Sequence, residues 1–187
     1  MTGVSVAFGL LAVLAAWLLA SWRGLIAARN AADATWEGID VQLRRRHDLL
    51  PALVAAVQAE TADEEATLAR VTTAREQARE ASTPFARADA ERRLVAAISA
   101  VGLLAAERHP GLAATAAFVD LKARLAAIED EIQAARRIHN ADVRLYLARR
   151  NRIPGSLLKR FGDFAERPYF ELDHTRERAV PALALVS

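Results

Sequence analysis

Apolar residues recur at steps of three and four through Trp36, Ile39, Leu43, Leu50, Leu53 and Val57, the spacing of a helix packed along one face. One charge falls on that seam, Arg46, inside a run of three arginines followed by His47 and Asp48. Upstream the pattern changes. Residues 3–22 hold no charged side chain, and as a helix at about 1.5 Å per residue they span about 30 Å, the thickness of a bilayer core. Trp17 and Trp22 lie toward the end that meets Arg23, as aromatic side chains do at a membrane interface. A cleaved signal peptide and a buried core helix are the rival readings. No Lys or Arg precedes the run, and it is long for a signal.

From Ala27 the helical pattern continues past Gly38 to Pro51, which lacks the N–H that would bond to the His47 carbonyl. Asp48 is placed to cap a helix restarting there. A second break is predicted at residues 59–62, where Thr61-Ala62-Asp63-Glu64 fits a capping box. Leu68, Val71 and Arg75 carry a stripe to about Glu80, and Ser82-Thr83-Pro84 reads as a turn. A third helix is predicted from Phe85 to Arg108, with Leu94, Ile98, Val101 and Ala105 on one face, ended by His109-Pro110-Gly111. The last and longest runs from Leu112 to Asn151, its seam passing through Phe118, Leu121, Leu125, Ile128, Ile132, Ala135, His139, Val143 and Tyr146. Ile153-Pro154-Gly155 stops it. One or two further turns are expected over Gly155–Phe161, then an extended segment, Arg167 to Glu171, that packs its aromatics back on the bundle.

The pattern thus predicts an all-α chain: an N-terminal tail and transmembrane helix over 1–22, an antiparallel bundle of long helices over 23–171, and a disordered tail over 172–187. The bundle has four helices if the chain reverses between residues 48 and 62, and three if it does not. A last helix of about 40 residues is about 60 Å long. An outward helix ending near residue 59 matches that length, whereas one ending at 47 does not. Length favours the later reversal and proline chemistry the earlier one.

Composition agrees with long helices, because alanine, arginine, leucine and glutamate are good helix formers and the chain has only 8 Gly and 6 Pro. The chain has no Cys, which removes disulfides and thiol chemistry without fixing a compartment. Net charge is +2, so the sum alone predicts no nucleic-acid partner. Arg23 and Arg29 follow the apolar run and nothing basic precedes it, so the positive-inside rule puts the bulk of the chain in the cytoplasm.

Ile39-Asp40-Val41-Gln42-Leu43-Arg44-Arg45-Arg46, with Asp48-Leu49-Leu50-Pro51 and Leu53-Val54 after it, closely resembles the signature of the LemA family. Asn30 and Trp36 fit upstream. Thr67-Leu68, Val71-Thr72 and Ala74-Arg75 continue the resemblance, as do Glu107-x-His109-Pro110-x-Leu112, Ala135-Arg136-Arg137-x-His139-Asn140 and Tyr169-Phe170-Glu171. It covers roughly Asn30 to Glu171. The resemblance implies a short N-terminal tail, one membrane span and a helical bundle, and no established biochemical activity. The chain departs from the family pattern at Ala52, at Ala59-Glu60, at His139 and at Leu147, as a divergent member would.

No reaction is legible. His47, His109, His139 and His174 have no metal-ligand spacing, and there is no phosphate loop or nucleophile elbow, so neither an enzyme nor a cofactor is expected. His139, on the apolar stripe, stands out as a special group or as a satisfied boundary residue. Asp40, Arg44 and Asp48 are spaced as helix-surface pairs on a solvated face. Arg46 must either snorkel to the edge or meet a carboxylate, Glu107 or Glu129, across the bundle. Arg136, Arg137, Arg144, Arg149, Arg150, Arg152, Lys159 and Arg160 face one acid, Asp142, over residues 136–160. That stretch is a solvated face, a nucleic-acid surface with only Tyr146 to stack, or a surface drawn to anionic headgroups. The leading expectation is a membrane-anchored interaction or membrane-organising scaffold that binds a protein partner or itself. The alternative is an anionic-lipid-binding or membrane-shaping protein using Arg149, Arg150, Arg152 and Arg160.

Overall fold

The computed structural model describes residues 2–61 and 64–171, and among these there is no strand. Helix α1 (Thr2–Glu60) runs unbroken from the apolar stretch through Gly38 and Pro51. The chain therefore reverses after Glu60, and Asp48 caps nothing. The Thr61 capping box does not form. Thr61 Oγ1 instead donates back to the Val57 carbonyl at 2.9 Å, while Glu64 precedes α2 (Glu65–Glu80) without a side-chain cap bond. At the next turn Pro84 takes the first position of α3 (Pro84–Glu107), where its missing N–H is harmless, and Thr83 accepts from the Ala86 N–H at 3.2 Å.

The last helix starts later than its stripe predicts. A short helix α4 (Pro110–Ala113) precedes α5 (Ala116–Asn151). Thr115 separates them by donating to the Leu112 carbonyl at 2.8 Å and accepting from the Phe118 N–H at 3.3 Å. Beyond α5 lie α6 (Gly155–Leu158) and a 3₁₀ turn (Lys159–Phe161), as expected. Of the two aromatics predicted to pack back, Phe170 is fully buried, whereas Tyr169 is 42% exposed. The tail predicted over 172–187 lies outside the described residues.

The chain divides into two compact units. Among the described residues, one comprises those up to Val41 with Ala134–Tyr169, the other those of Gln42–Gln133 with Phe170 and Glu171.

In the first unit α1 and the end of α5 run antiparallel, with Trp36 beside His139 and Gly24 beside Arg149. Leu25, Ala28, Tyr146 and Phe164 form the core, flanked by Trp22, Ile26 and Leu147. The aperiodic stretch after the 3₁₀ turn is tied down by polar bonds. Tyr146 Oη donates to the Ala165 carbonyl at 2.8 Å, Arg150 Nε to that of Phe164 at 2.7 Å, and Arg29 Nη1 to that of Asp163 at 3.0 Å. Arg167 forks onto the Asp33 carboxylate at 2.6 and 3.1 Å, a pairing that lowers the Asp33 pKa. Residues 3–17 of α1 are exposed on every side.

In the second unit four stripes converge. Leu50, Leu53 and Val57 of α1 meet Leu68, Val71, Ala74 and Ala78 of α2. Ala90, Leu94, Val101 and Ala105 of α3, with Leu112 and Phe118, complete that core. These are the faces that the three-four spacing selects.

Candidate functional site

Three places hold the residues that the sequence singles out. The first is the charge on the α1 seam. Arg46 is 2% exposed, so it does not snorkel. Its Nη2 pairs with Glu91 of α3, which is fully buried, and its Nη1 donates to Glu129 Oε2 at 2.8 Å. Of the two acids named for it, Glu129 is a partner; Glu107 is exposed and is not. Glu91 is the partner that sequence reasoning missed. It sits three residues before Leu94 on the apolar stripe of α3, the same signal that marks Arg46 on α1.

Glu91 holds more than one partner. His47 Nε2 lies 2.8 Å from Glu91 Oε1, and the ring itself is buried. Burial alone would raise the Glu91 carboxyl, but the His47 ring and the Arg46 guanidinium outweigh it and hold it below its usual value near 4.5. Gln133 steadies the outer acid, its Nε2 donating to Glu129 Oε1 at 2.7 Å. Arg46 Nε is buried without a partner. Apart from that atom the cluster is a buried structural network, in which Arg46, His47, Glu91, Glu129 and Gln133 bond to one another. Asp40 also departs from its expected solvated face, since it is buried, while Arg44 and Asp48 are exposed. Gln42 is half-buried with its Oε1 3.4 Å from Arg45, and Pro51 is exposed.

The second place is His139, in the first unit. It is 3% exposed, with Nδ1 3.3 Å from Thr35 Oγ1 and Nε2 3.4 Å from the Pro168 carbonyl. The Trp36 ring centre lies 5.5 Å away. Both ring nitrogens have an oxygen in range, as a satisfied boundary residue requires. Burial lowers the His139 pKa and favours the neutral ring. Asn30 accepts from Arg29 at the surface, and Asn140 is half-buried beside His139 in sequence. Among the described residues, no three side chains of metal-ligating type converge.

The third place is the basic end of α5, which returns to the end of the apolar stretch. Arg149 Nη1 donates to the Gly24 carbonyl at 2.9 Å, and Arg150 reaches Glu166 at 2.8 Å. No described residue pairs with the side chains of Arg152 or Arg160. Beside them a groove of about 530 Å³ is lined by Ala20, Ser21 and Gly24 of α1 and by Arg149, Arg152 and Ile153. Its lining is mostly apolar, with Arg149 and Arg152 the charged side chains in it. The four arginines assigned to lipid contact thus divide: Arg149 and Arg150 are held by described residues, whereas Arg152 and Arg160 are paired with none of them.

No curated protein matches the chain. A family model does, over residues 35–184, and it is that of the LemA family.

Proposed function

The chain belongs to the LemA family, and on that premise we propose that it is a single-pass, membrane-anchored helical bundle serving as an interaction or membrane-organising scaffold. One observation carries the reading. The apolar N-terminal part of α1 has a mean hydropathy of 2.3 over its best 18-residue window, and none of that window is buried. Leaving so large an apolar surface in water is strongly unfavourable, and a bilayer core is the environment whose thickness it matches. The same helix becomes polar and packed from Leu25 onward. With Arg23 and Arg29 on that side, the packed part is assigned to the cytoplasm.

The scaffold reading, with a protein partner or a second copy bound and no catalytic role, is supported by the Arg46 cluster, where Arg46, His47, Glu91 and Glu129 are bonded to one another inside the bundle. Extraction of cell membranes with alkaline carbonate tests the anchor. The full chain is expected to stay in the pellet, and release into the supernatant would overturn the reading. Protease accessibility of the C-terminus tests the orientation, and crosslinking in membranes captures the partner.

A second reading is favoured by the Arg149–Gly24 bond, which holds the basic end of α5 beside the apolar stretch. There Arg152 and Arg160 would meet anionic headgroups, each worth about 1 kcal/mol near the surface. Vesicle clustering or bending by the reconstituted chain that ignores anionic lipid content would exclude it.

A further inference from the structure

We infer that the turn from Ile153 to Phe161 is a second membrane contact: a short apolar foot that dips into the bilayer interface beside the span without crossing it. The inference rests on the anchor proposed above, and it concerns apolar insertion rather than headgroup charge.

The turn is apolar where a soluble surface would be polar. Ile153 is 74% exposed, Leu157 57% and Phe161 79%, with Arg152, Lys159 and Arg160 between and beside them. Large apolar tips alternating with basic stems are the composition of a helix lying in an interface.

Its position is fixed at both ends to the last turn of the apolar stretch. At the near end Arg149 is bonded to Gly24, and Ile153, Pro154 and Gly155 line one groove with Ala20 and Ser21. At the far end Phe164 packs edge-on against Trp22 with ring centres 5.1 Å apart. Gly162 lies so close that a Cβ there would be 2.9 Å from the Trp22 ring. The segment between is only α6 and one 3₁₀ turn, so it stays at the level of residues 20–22. Those residues are where the uncharged run ends and the headgroup zone begins. Backbone approach makes the turn tight, since a Cβ on Gly155 would sit 2.0 Å from the Arg149 carbonyl oxygen.

The chain has no native cysteine, so single spin labels test this in the full-length protein. Ile153→Cys, Leu157→Cys and Phe161→Cys are labelled and reconstituted into phosphatidylcholine discs, with and without phosphatidylglycerol. Power saturation then compares accessibility to oxygen, which enters lipid, with accessibility to a nickel chelate, which stays in water. Ile138→Cys is the matched control. It is 57% exposed and apolar, but beside His139 and so about 24 Å along α1 from Ala20 at 1.5 Å per residue. Ala12→Cys reports the span itself.

All three foot labels are expected to show an oxygen-to-nickel ratio raised toward that of Ala12→Cys, in both lipid compositions, with Ile138→Cys low. A lipid-immersed Ala12→Cys with all foot labels as aqueous as Ile138→Cys overturns the foot and leaves the anchor standing. An aqueous Ala12→Cys overturns the anchor and the foot with it. Foot labels shielded from both reagents mean that protein covers the turn, and immersion confined to anionic discs means that charge holds it; either result overturns the inference. Helical content by circular dichroism confirms that each labelled chain is folded.

Discussion

Arg75 of α2 donates its Nε–H to the carbonyl oxygen of His47 in α1 at 2.8 Å. That carbonyl is the one whose helical partner would be residue 51, and residue 51 is proline. A guanidinium from a neighbouring helix thus replaces the missing N–H, and α1 continues where proline alone predicts a break. The Arg75 side chain is 17% exposed, so water is a poor substitute. Arg75→Ala is expected to destabilise the protein by about 1.5–3 kcal/mol, the range for a hydrogen bond from a charged donor. Pro51→Ala restores the backbone donor, so in that background the same substitution is expected to cost far less. A double-mutant cycle in urea measures the coupling, expected at about 1–2 kcal/mol. Additive effects would show that Arg75 does not serve this carbonyl.

The buried Arg46–Glu91 pair is the next test. Removing one partner strands the other charge away from water, at a cost of about 3–5 kcal/mol. Arg46→Met is therefore expected to lower the melting temperature sharply. Arg46→Met with Glu91→Met and His47→Phe removes the stranded carboxylate and its ring partner, and is expected to recover much of the loss. If Arg46→Met melts like the parent chain, the pair does not fix the bundle.

Three groups, His139, Glu91 and Asp33, make stability depend on pH in the same direction. Burial lowers the His139 pKa below 6.5, so below that pH the unfolded chain binds a proton that the folded chain resists. Stability is then complete above pH about 6.5 and falls as the pH drops through the folded value. Glu91, held below 4.5, and Asp33, held below 3.8 by Arg167, add a second loss that begins near pH 4.5 and deepens on acidification. Urea midpoints across this range are expected to fall in two stages. His139→Asn should flatten the upper stage, and Glu91→Gln and Asp33→Asn should each flatten part of the lower.

The parts legible in the sequence are those that periodicity governs. Ile39, Leu43, Leu50, Leu53 and Val57 were selected by spacing, and each is at most 3% exposed. Periodicity assigns a face but not an axial register between helices. That is why Arg46 could be placed on the seam while its acids were only half identified. Pro51 misled for a related reason: its relief comes from Arg75 on another helix, which no local pattern reports. The strap over Gly162–Tyr169 has no period at all. Its order depends on Tyr146, Arg150 and Arg167 bonding to backbone and to Asp33, long-range pairings that spacing does not encode.

Gly155 gives the most local test of how the end of α5 is built. Its would-be Cβ lies 2.0 Å from the Arg149 carbonyl oxygen and 3.0 Å from the carbonyl carbon, both backbone atoms that cannot rotate aside. Alanine there must push the turn away from α5, and overpacking of this kind costs about 1–3 kcal/mol. The shift would also disturb Arg149, whose side chain holds the Gly24 carbonyl. Gly155→Ala is expected to speed amide hydrogen exchange over residues 145–158 and around Trp22, while leaving α2 and α3 unchanged. Gly111→Ala, where a Cβ meets nothing within 4 Å, is the matched control and is expected to change neither region. Unaltered exchange in Gly155→Ala would mean that the turn does not pack this closely on the helix end.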